Sequence, residues 1–352
     1  MRKPERQQNR AAKKRPVGGV SRRAALAGAA ALLTVRSARA ADKLTVRLDW
    51  STHGMHAPFF LSIEKGWFKA ADLEPSFEDG NGSVTTSQLV GSGQFDIGHA
   101  ALAPMAIGAS KGLAVISIAG FIRRGDTGIL VPKENHWTRP SDLIGKRIVY
   151  TAGSLEGPFI RPFFEKNGVP LDKITLLNVE ASAKLSTYFS RDCDAAASTV
   201  PWLIPIAEGK RTSDGILFAD FGFDLPGYGL VVQPDNLKKK GPALKRFASL
   251  ISGAWKYILD GHEDEGTSAI LVHRPQSPLS AKVLKAQIEA YRPFFHTAAT
   301  KDTPIGLQSA TDWQMTIDEM QKADVMPKGV KPQQIFTNDL VDLSFAKTII
   351  GS

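Results

Sequence analysis

From Leu44 to Trp50 the chain reads LTVRLDW, alternating apolar and polar side chains in a β-branched run. That period of two predicts a strand with one buried face. The period then changes. Phe59, Phe60 and Ile63 recur at helical spacing in APFFLSIEKGWF, and Gly66 is a natural stop. LEPSFEDG follows as a short strand, SVTTSQLVGSG as a helix opened by Ser83, FDIGHA as a strand, PMAIGASKG as a helix and AVISIAGF as a strand. Strands and helices in strict alternation predict an α/β unit with a mainly parallel sheet. A second such unit starts near SDLIGKRIVYTAGSLEG, with RIVYT, ITLLNV and DAAAST as its strands and SAKLSTYFSR and PWLIPIAEG among its helices. From about Pro242 the pattern turns helical to the end, most clearly in FASLISGAWKYIL and DWQMTIDEMQKA.

Two stretches bracket the second unit and resemble each other. TGILVPKEN (127–135) precedes it and YGLVVQPDN (228–236) follows it. Both are apolar β segments that end in a proline and a polar turn. They predict two lobes joined by two extended crossovers: residues 41–131 with 228–352 as lobe one, and 132–227 as lobe two. A cleft between lobes joined in this way is a place for a ligand and for hinge closure around it.

Composition changes this picture at one end only. The 352 residues carry a formal net charge of +9. Residues 1–40 hold 11 of the 44 Lys+Arg and one of the 35 Asp+Glu, which leaves 33 basic against 34 acidic, a net of −1. The basicity belongs to the leader, so no nucleic-acid partner is expected. The leader has the order of an export signal: a basic region, paired Arg22 and Arg23 in SRRAAL, an apolar stretch from Ala24 to Val35, and Ala38 and Ala40 before a cut. The stretch is too short to span a bilayer. The arginine pair resembles a bacterial twin-arginine signal; an ordinary secretory signal that contains two arginines is the alternative. Cys193 is the one cysteine, so an intrachain disulfide is excluded, and its apolar neighbours CDAAASTV predict a small buried hydrophobe.

Several of these pieces together resemble a known family, the type II periplasmic solute-binding proteins of ABC importers. They are LDWSTHGMHAPFFLSIEKGWF, GSGQFDIG, SDLIGKRIVY, FADFGFDLPGYGLVV and DWQMTIDEMQKADVMP. The resemblance covers nearly all of residues 44–345. It is strongest to the branch that takes nitrate, sulfonates, taurine and pyrimidine precursors of thiamine. It implies a monomeric, exported, non-enzymatic protein that captures a small solute and passes it to a permease and ATPase, with no cofactor.

LDW followed by His-Ala-Pro looks most like the pyrimidine-precursor members. There the tryptophan is part of an aromatic sandwich around a flat heterocycle. The resemblance makes Trp50 a stacking wall at the carboxyl end of a strand, with Asp49 and His56 as edge hydrogen-bonders. Trp50 as plain core and His56 as a helix cap are the structural alternatives. His53 and His56 could ligate metal with His99, but their spacing is loop-borne and no Cys or carboxylate cluster supports it, so no metal is expected. In GNGS, Ser83 opens a helix, and its amide and that of Val84 would suit an anion or a polar edge, or serve only as a cap. Ser154 and Glu156 of TAGSLEG occupy the equivalent place in lobe two; Glu156 would equally complement the helix dipole. His99 ends a strand at a position that faces the cleft in this family. Thr199 and Trp202 follow the buried strand of lobe two, with Trp202 as a candidate opposite wall, and Tyr228 stands at the second crossover.

Yeast pyrimidine synthases also resemble the chain but are enzymes. They carry a lysine one residue after the place of His99, a histidine four further on and a cysteine cluster near FDLPGYG. Here Ala100 and Pro104 stand at those places and the cluster is missing. Pyrimidine binders often carry a glutamate near Val200, and here the run is Thr199, Val200, Pro201. A binder of a sulfonate, taurine or nitrate on the same fold is therefore the alternative reading.

Overall fold

The computed structural model describes residues 40–351. The export signal and its arginine pair lie outside the described residues. The strands form two five-stranded sheets. The first holds β1 (Asp42–Arg47), β2 (Leu73–Glu78), β3 (Ile97–Ala101), β4 (Ile116–Gly120) and β10 (Tyr228–Val232), in the order β2-β1-β3-β10-β4. The second holds β5 (Thr127–Pro132), β6 (Arg147–Tyr150), β7 (Thr175–Asn178), β8 (Ala195–Thr199) and β9 (Ser213–Leu217), in the order β7-β6-β8-β5-β9.

Each sheet runs four strands one way and one the other. β1 pairs parallel with β2 and β3, and β10 lies antiparallel between β3 and β4. β6 pairs parallel with β7 and β8, and β5 lies antiparallel between β8 and β9. The two reversed strands are the two resembling stretches of the sequence. Each is the chain's first strand after it crosses to the other sheet, so it enters against the grain. The expected division placed residues 127–131 with lobe one. They belong instead to the second sheet, because all of β5 is buried between β8 and β9 and its backbone bonds go to those strands. The crossovers are the irregular segments just before β5 and just before β10.

Burial follows the pattern. In β1 Leu44 and Val46 face the core, while β3, β5, β8 and β10 are buried throughout, as central strands covered on both faces should be. Cys193 is buried beside this core. The expected strand Leu44–Trp50 ends earlier, at Arg47, which puts Asp49 and Trp50 beyond its carboxyl end. The late helical region also starts earlier than expected. One helix runs Pro234–Leu259 with Pro242 inside it. Its proline at the first turn costs no hydrogen bond, and its buried face carries Leu244, Phe247, Ile251 and Trp255 against the first sheet's side of the molecule.

Candidate functional site

The carboxyl ends of β1, β3 and β8 converge with β10's first residue on one narrow cleft. Asp49, Trp50, His53, Ser83, Ser154, Leu155, Ser198, Thr199, Trp202 and Tyr228 line it. Seven of the expected site residues are brought together there: Asp49, Trp50, Ser83, Ser154, Thr199, Trp202 and Tyr228. His56, His99 and Glu156 are fully buried behind the lining. His53, Leu155 and Ser198 were not among the expected contacts. His53 carries a sequence signal, as part of the loop after β1, but that signal suggests only a metal ligand.

Asp49 and Trp50 are held by backbone. The turn after β2 folds over them: Gly80 N–H donates to Trp50 O (3.0 Å) and Gly82 N–H to Asp49 O (2.7 Å). Thr86 in α1 (Ser83–Gly91) donates to Leu48 O (2.8 Å). The side chain of Asp49 is held by imidazoles. His56 Nε2 and His99 Nδ1 both lie against Oδ1, at 2.8 and 2.7 Å. The backbone N–H of His53 donates to His56 Nδ1 (3.2 Å), so that nitrogen is the acceptor and the His56 proton sits on Nε2, facing Asp49. Burial and the neighbouring His53 drive His56 down to about 3, so it stays neutral. Burial alone would raise Asp49, but the imidazoles of His53, His56 and His99 around it outweigh that and hold the carboxyl well below the usual carboxylate range. Asp49 is therefore an ionised carboxylate at the base of the cleft. Among the described residues its Oδ2 makes no hydrogen bond, and His53 Nε2 stands 3.8 Å from it.

Asp49, His56 and His99 bring three metal-ligating atoms within 4.8 Å of one another. Loop-borne spacing in the sequence shows no carboxylate near these histidines, but the fold brings Asp49 to them. The donor pattern still fits a carboxylate clasped by two imidazoles better than a metal. A ligating histidine needs an acceptor for its other ring N–H. His56 Nδ1 faces a donor, and His99 Nε2 is buried without a partner.

The aromatic walls are Trp50, Trp202, Tyr228 and His53. Trp202 is the candidate opposite wall. It stands edge-on to Trp50, with ring centres 6.0 Å apart and planes at 72°. A flat ring between two parallel faces needs about 7 Å, two contact distances. With its walls in this edge-on arrangement, the cleft therefore cannot take a sandwiched ring without separation of those walls. Tyr228 stacks on His99 at 5.2 Å. Lys184 lies over the Trp50 ring, with its Nζ 5.1 Å from the ring centre. Lys184, on α2 (Ala181–Phe189), is ion-paired with Glu156, and both are buried. Glu156 Oε1 also accepts from Thr151 N–H (3.0 Å), so its position is set by the lobe-two loop and not by a helix dipole.

The lobes meet at the mouth. Val84 N–H donates to Gly153 O across the cleft (3.2 Å). The expected free amide at this helix start is thus already engaged by a carbonyl, and Ser83 Oγ accepts from Ala101 N–H (3.0 Å) instead of capping. Gly82 is required here: its φ is +146°, and a Cβ would lie 2.2 Å from Gly153 O. On the far side Gln287, in α4 (Ala281–Tyr291), accepts from Gly54 N–H (2.9 Å) and donates to Trp202 O (3.0 Å), at the start of α3 (Val200–Ala207). Arg123 does not line the cleft. It is spent on the carbonyls of Phe295, Thr303, Pro304 and Leu307, and Arg124 on Asp220.

These features match known proteins over most of the chain. A formylaminopyrimidine-binding protein of Halalkalibacterium halodurans is 21% identical over 316 residues, 87% of this chain and 92% of the relative. A 4-amino-5-hydroxymethyl-2-methylpyrimidine phosphate synthase of Saccharomyces cerevisiae is 32% identical over 110 residues, and there the match spans only 32% of that enzyme and 31% of this chain. Among solved structures, the periplasmic nitrate-binding protein NrtA of Synechocystis superposes with a TM-score of 0.66 at 12% identity, over 87% of this chain and 88% of that one. The alkanesulfonate-binding protein SsuA of Xanthomonas axonopodis, bound to MOPS, superposes with 0.64 at 15% identity, over 84% and 98%. The fold is thus that of the periplasmic binding proteins. The sequence profile described as NMT1/THI5 like matches residues 53–264, more than half of the chain, and the chain belongs to that family.

Proposed function

We propose that this protein is the substrate-binding component of an ABC importer, exported by its N-terminal signal, and that it captures a flat aromatic nitrogen heterocycle of the aminopyrimidine class for delivery to a membrane permease. The observation that carries the ligand class is the charge of the lining. Among the described residues that line the cleft, the one carboxylate is ionised and there is no Lys or Arg. A sulfonate or nitrate would meet the Asp49 charge in a low-dielectric cleft, with the Val84 amide already bonded to Gly153 O. An amino group on a flat ring donates to Asp49 Oδ2, and its face lies on Trp50. The pyrimidine-binding relative, aligned over nearly its whole length, supports the same class.

Closure accounts for the narrow cleft. The ring enters while the lobes are apart, and the lobes then meet through Val84 and Gly153. No catalytic role is proposed. The positions of the synthase lysine and histidine are Ala100 and Pro104, both buried and without chemistry to offer.

Thermal melts with a ligand panel test the reading. A ligand at 100 times its dissociation constant stabilises the fold by roughly 2.7 kcal/mol. Aminopyrimidines should give this shift, and taurine, alkanesulfonates and nitrate should not. Trp50→Ala should remove about 1–3 kcal/mol of aminopyrimidine binding. A panel in which only sulfonates shift the melt, or a Trp50→Ala variant that binds as tightly as the parent, contradicts the proposal.

A further inference from the structure

The two crossovers meet beside the cleft. Gly227 N–H, just before β10, donates to Ile122 O (2.9 Å), and a Cβ on Gly227 would stand 3.0 Å from Asp126 Oδ1. Asp126 is tied to lobe two through its backbone, whose oxygen accepts from Val200 N–H (2.9 Å) at the start of α3. The groups that act on its carboxyl from other elements belong to lobe one: Asp49 in the loop after β1, Tyr228 at the start of β10 and Tyr291 at the end of α4. Tyr291 also joins the lobes, donating from its hydroxyl to Thr199 Oγ1 (3.1 Å). Among the described residues no cation acts on Asp126. On its own segment Arg123 is spent on carbonyls and Arg124 on Asp220, while Asp224 accepts from Gly125 N–H (2.7 Å). The Asp126 carboxyl is fully buried, and neither oxygen has a hydrogen-bond partner. Such a group is costly to keep and needs a reason.

We propose that Asp126 is a proton-linked switch of lobe closure: the lobes close over its neutral carboxyl and part when it ionises, so that closing takes up one proton from solvent and rising pH favours the open state that releases ligand. This rests on the hinge closure in the proposed function and not on the class of ligand. In the closed protein an ionised Asp126 would be a second anion beside Asp49, without water, donor or counter-charge. Parting the lobes lifts Tyr228 and Tyr291 away from lobe two and admits water to the carboxyl. The neutral form loses far less when that water is stripped again. Burial, with the Asp49 charge nearby, holds the closed-state carboxyl up at about 8, against about 4 in water. The closed state therefore binds more protons between those values. Closure is fully favoured at the acid end of that window, loses ground by up to about tenfold per pH unit as pH rises, and is level above about 8.

The test needs no ligand. A Cβ on Gly153 would lie 3.1 Å from Thr85 Oγ1 across the closed seam. Thr85→Cys with Gly153→Cys in the full mature protein therefore gives a cysteine pair that oxidises only when the lobes meet, and the native Cys193 is buried away from it. With the cleft empty and the lobes mostly apart, the rate of trapping by diamide follows the closed fraction. It is measured from pH 6 to 9 in this parent and in the same protein with Asp126→Asn. Thiol ionisation is common to both and cancels in the ratio of rates. The ratio of variant to parent should rise at least tenfold between pH 6 and 8 and level off above. Asp126→Leu, similar in shape and without polar atoms, should give the same rise if the asparagine folds poorly. A ratio that is constant with pH, or that falls, overturns the switch while leaving closure intact. A cysteine pair that is never trapped, at any pH and in every background, refutes hinge closure itself, and this inference with it.

Discussion

Asp126 lies where the chain crosses from the first sheet to the second, fully buried, with neither carboxylate oxygen hydrogen-bonded. Its backbone oxygen accepts from Val200 N–H (2.9 Å), which fixes it in place. Its Oδ1 sits close enough to Gly227 that a Cβ there would be 3.0 Å away. Burial, with the Asp49 charge nearby, pushes its carboxyl up to about 8. Tyr228 and Tyr291 share this neighbourhood, and burial raises their hydroxyls further out of range. The folded protein thus keeps the Asp126 proton at neutral pH, while the unfolded chain releases it near pH 4. The unfolded state binds fewer protons between those values, so stability falls as pH rises from about 4 to about 8 and is level beyond. Each pH unit in that window costs roughly 1.4 kcal/mol at most, and the whole span is on the order of a few kcal/mol after relaxation around the charge. Asp126→Asn mimics the protonated carboxyl without its proton to lose. Urea melts of both proteins at pH 5, 7 and 9, compared as differences so that other titrations cancel, should show a small gap at pH 5 that widens in favour of the variant by a few kcal/mol at pH 9. A gap that stays constant with pH, or that favours the wild type more as pH rises, refutes a buried, protonated Asp126.

Two further changes read the lobe contacts. Gly82→Ala puts a methyl where Gly153 O stands, at 2.2 Å, and should weaken ligand binding by about tenfold or more and abolish ligand-induced compaction in solution scattering; unchanged values would remove the Gly82–Gly153 seam from the bound state. Lys184→Met strands Glu156 in the interior and should cost about 3–5 kcal/mol in urea unfolding, with a Glu156→Gln partner change recovering part of it; an additive double variant would show that the buried pair is not coupled.

Much of the fold was legible because its signals are local. Alternation over Leu44–Arg47, the helix signals after Pro58 and the matched segments 127–135 and 228–236 sit within short windows of sequence. The sheet to which β5 belongs was misplaced because periodicity reports burial and not partners. A strand buried on both faces reads the same in either lobe. The start of the long helix was missed because Pro242 reads as a boundary, although eight residues of helix precede it. At the site, strand ends and loop starts pointed to Asp49, Trp50, Ser83, Ser154, Thr199, Trp202 and Tyr228. What sequence could not give was depth and angle. His56 and His99 serve Asp49 from behind because residues 7 and 50 positions away in the chain converge on one oxygen. The buried pairing of Lys184 with Glu156, 28 residues apart, likewise has no local signature.

The central claim is that an ionised carboxylate framed by aromatic rings selects the ligand. The most direct measurement is mass spectrometry of the small molecules released when protein purified from its native compartment is denatured. The account predicts a flat nitrogen heterocycle bearing an amino group and no sulfonate, phosphate or nitrate. Recovery of a sulfonate or another small anion, in stoichiometric amount, would contradict it.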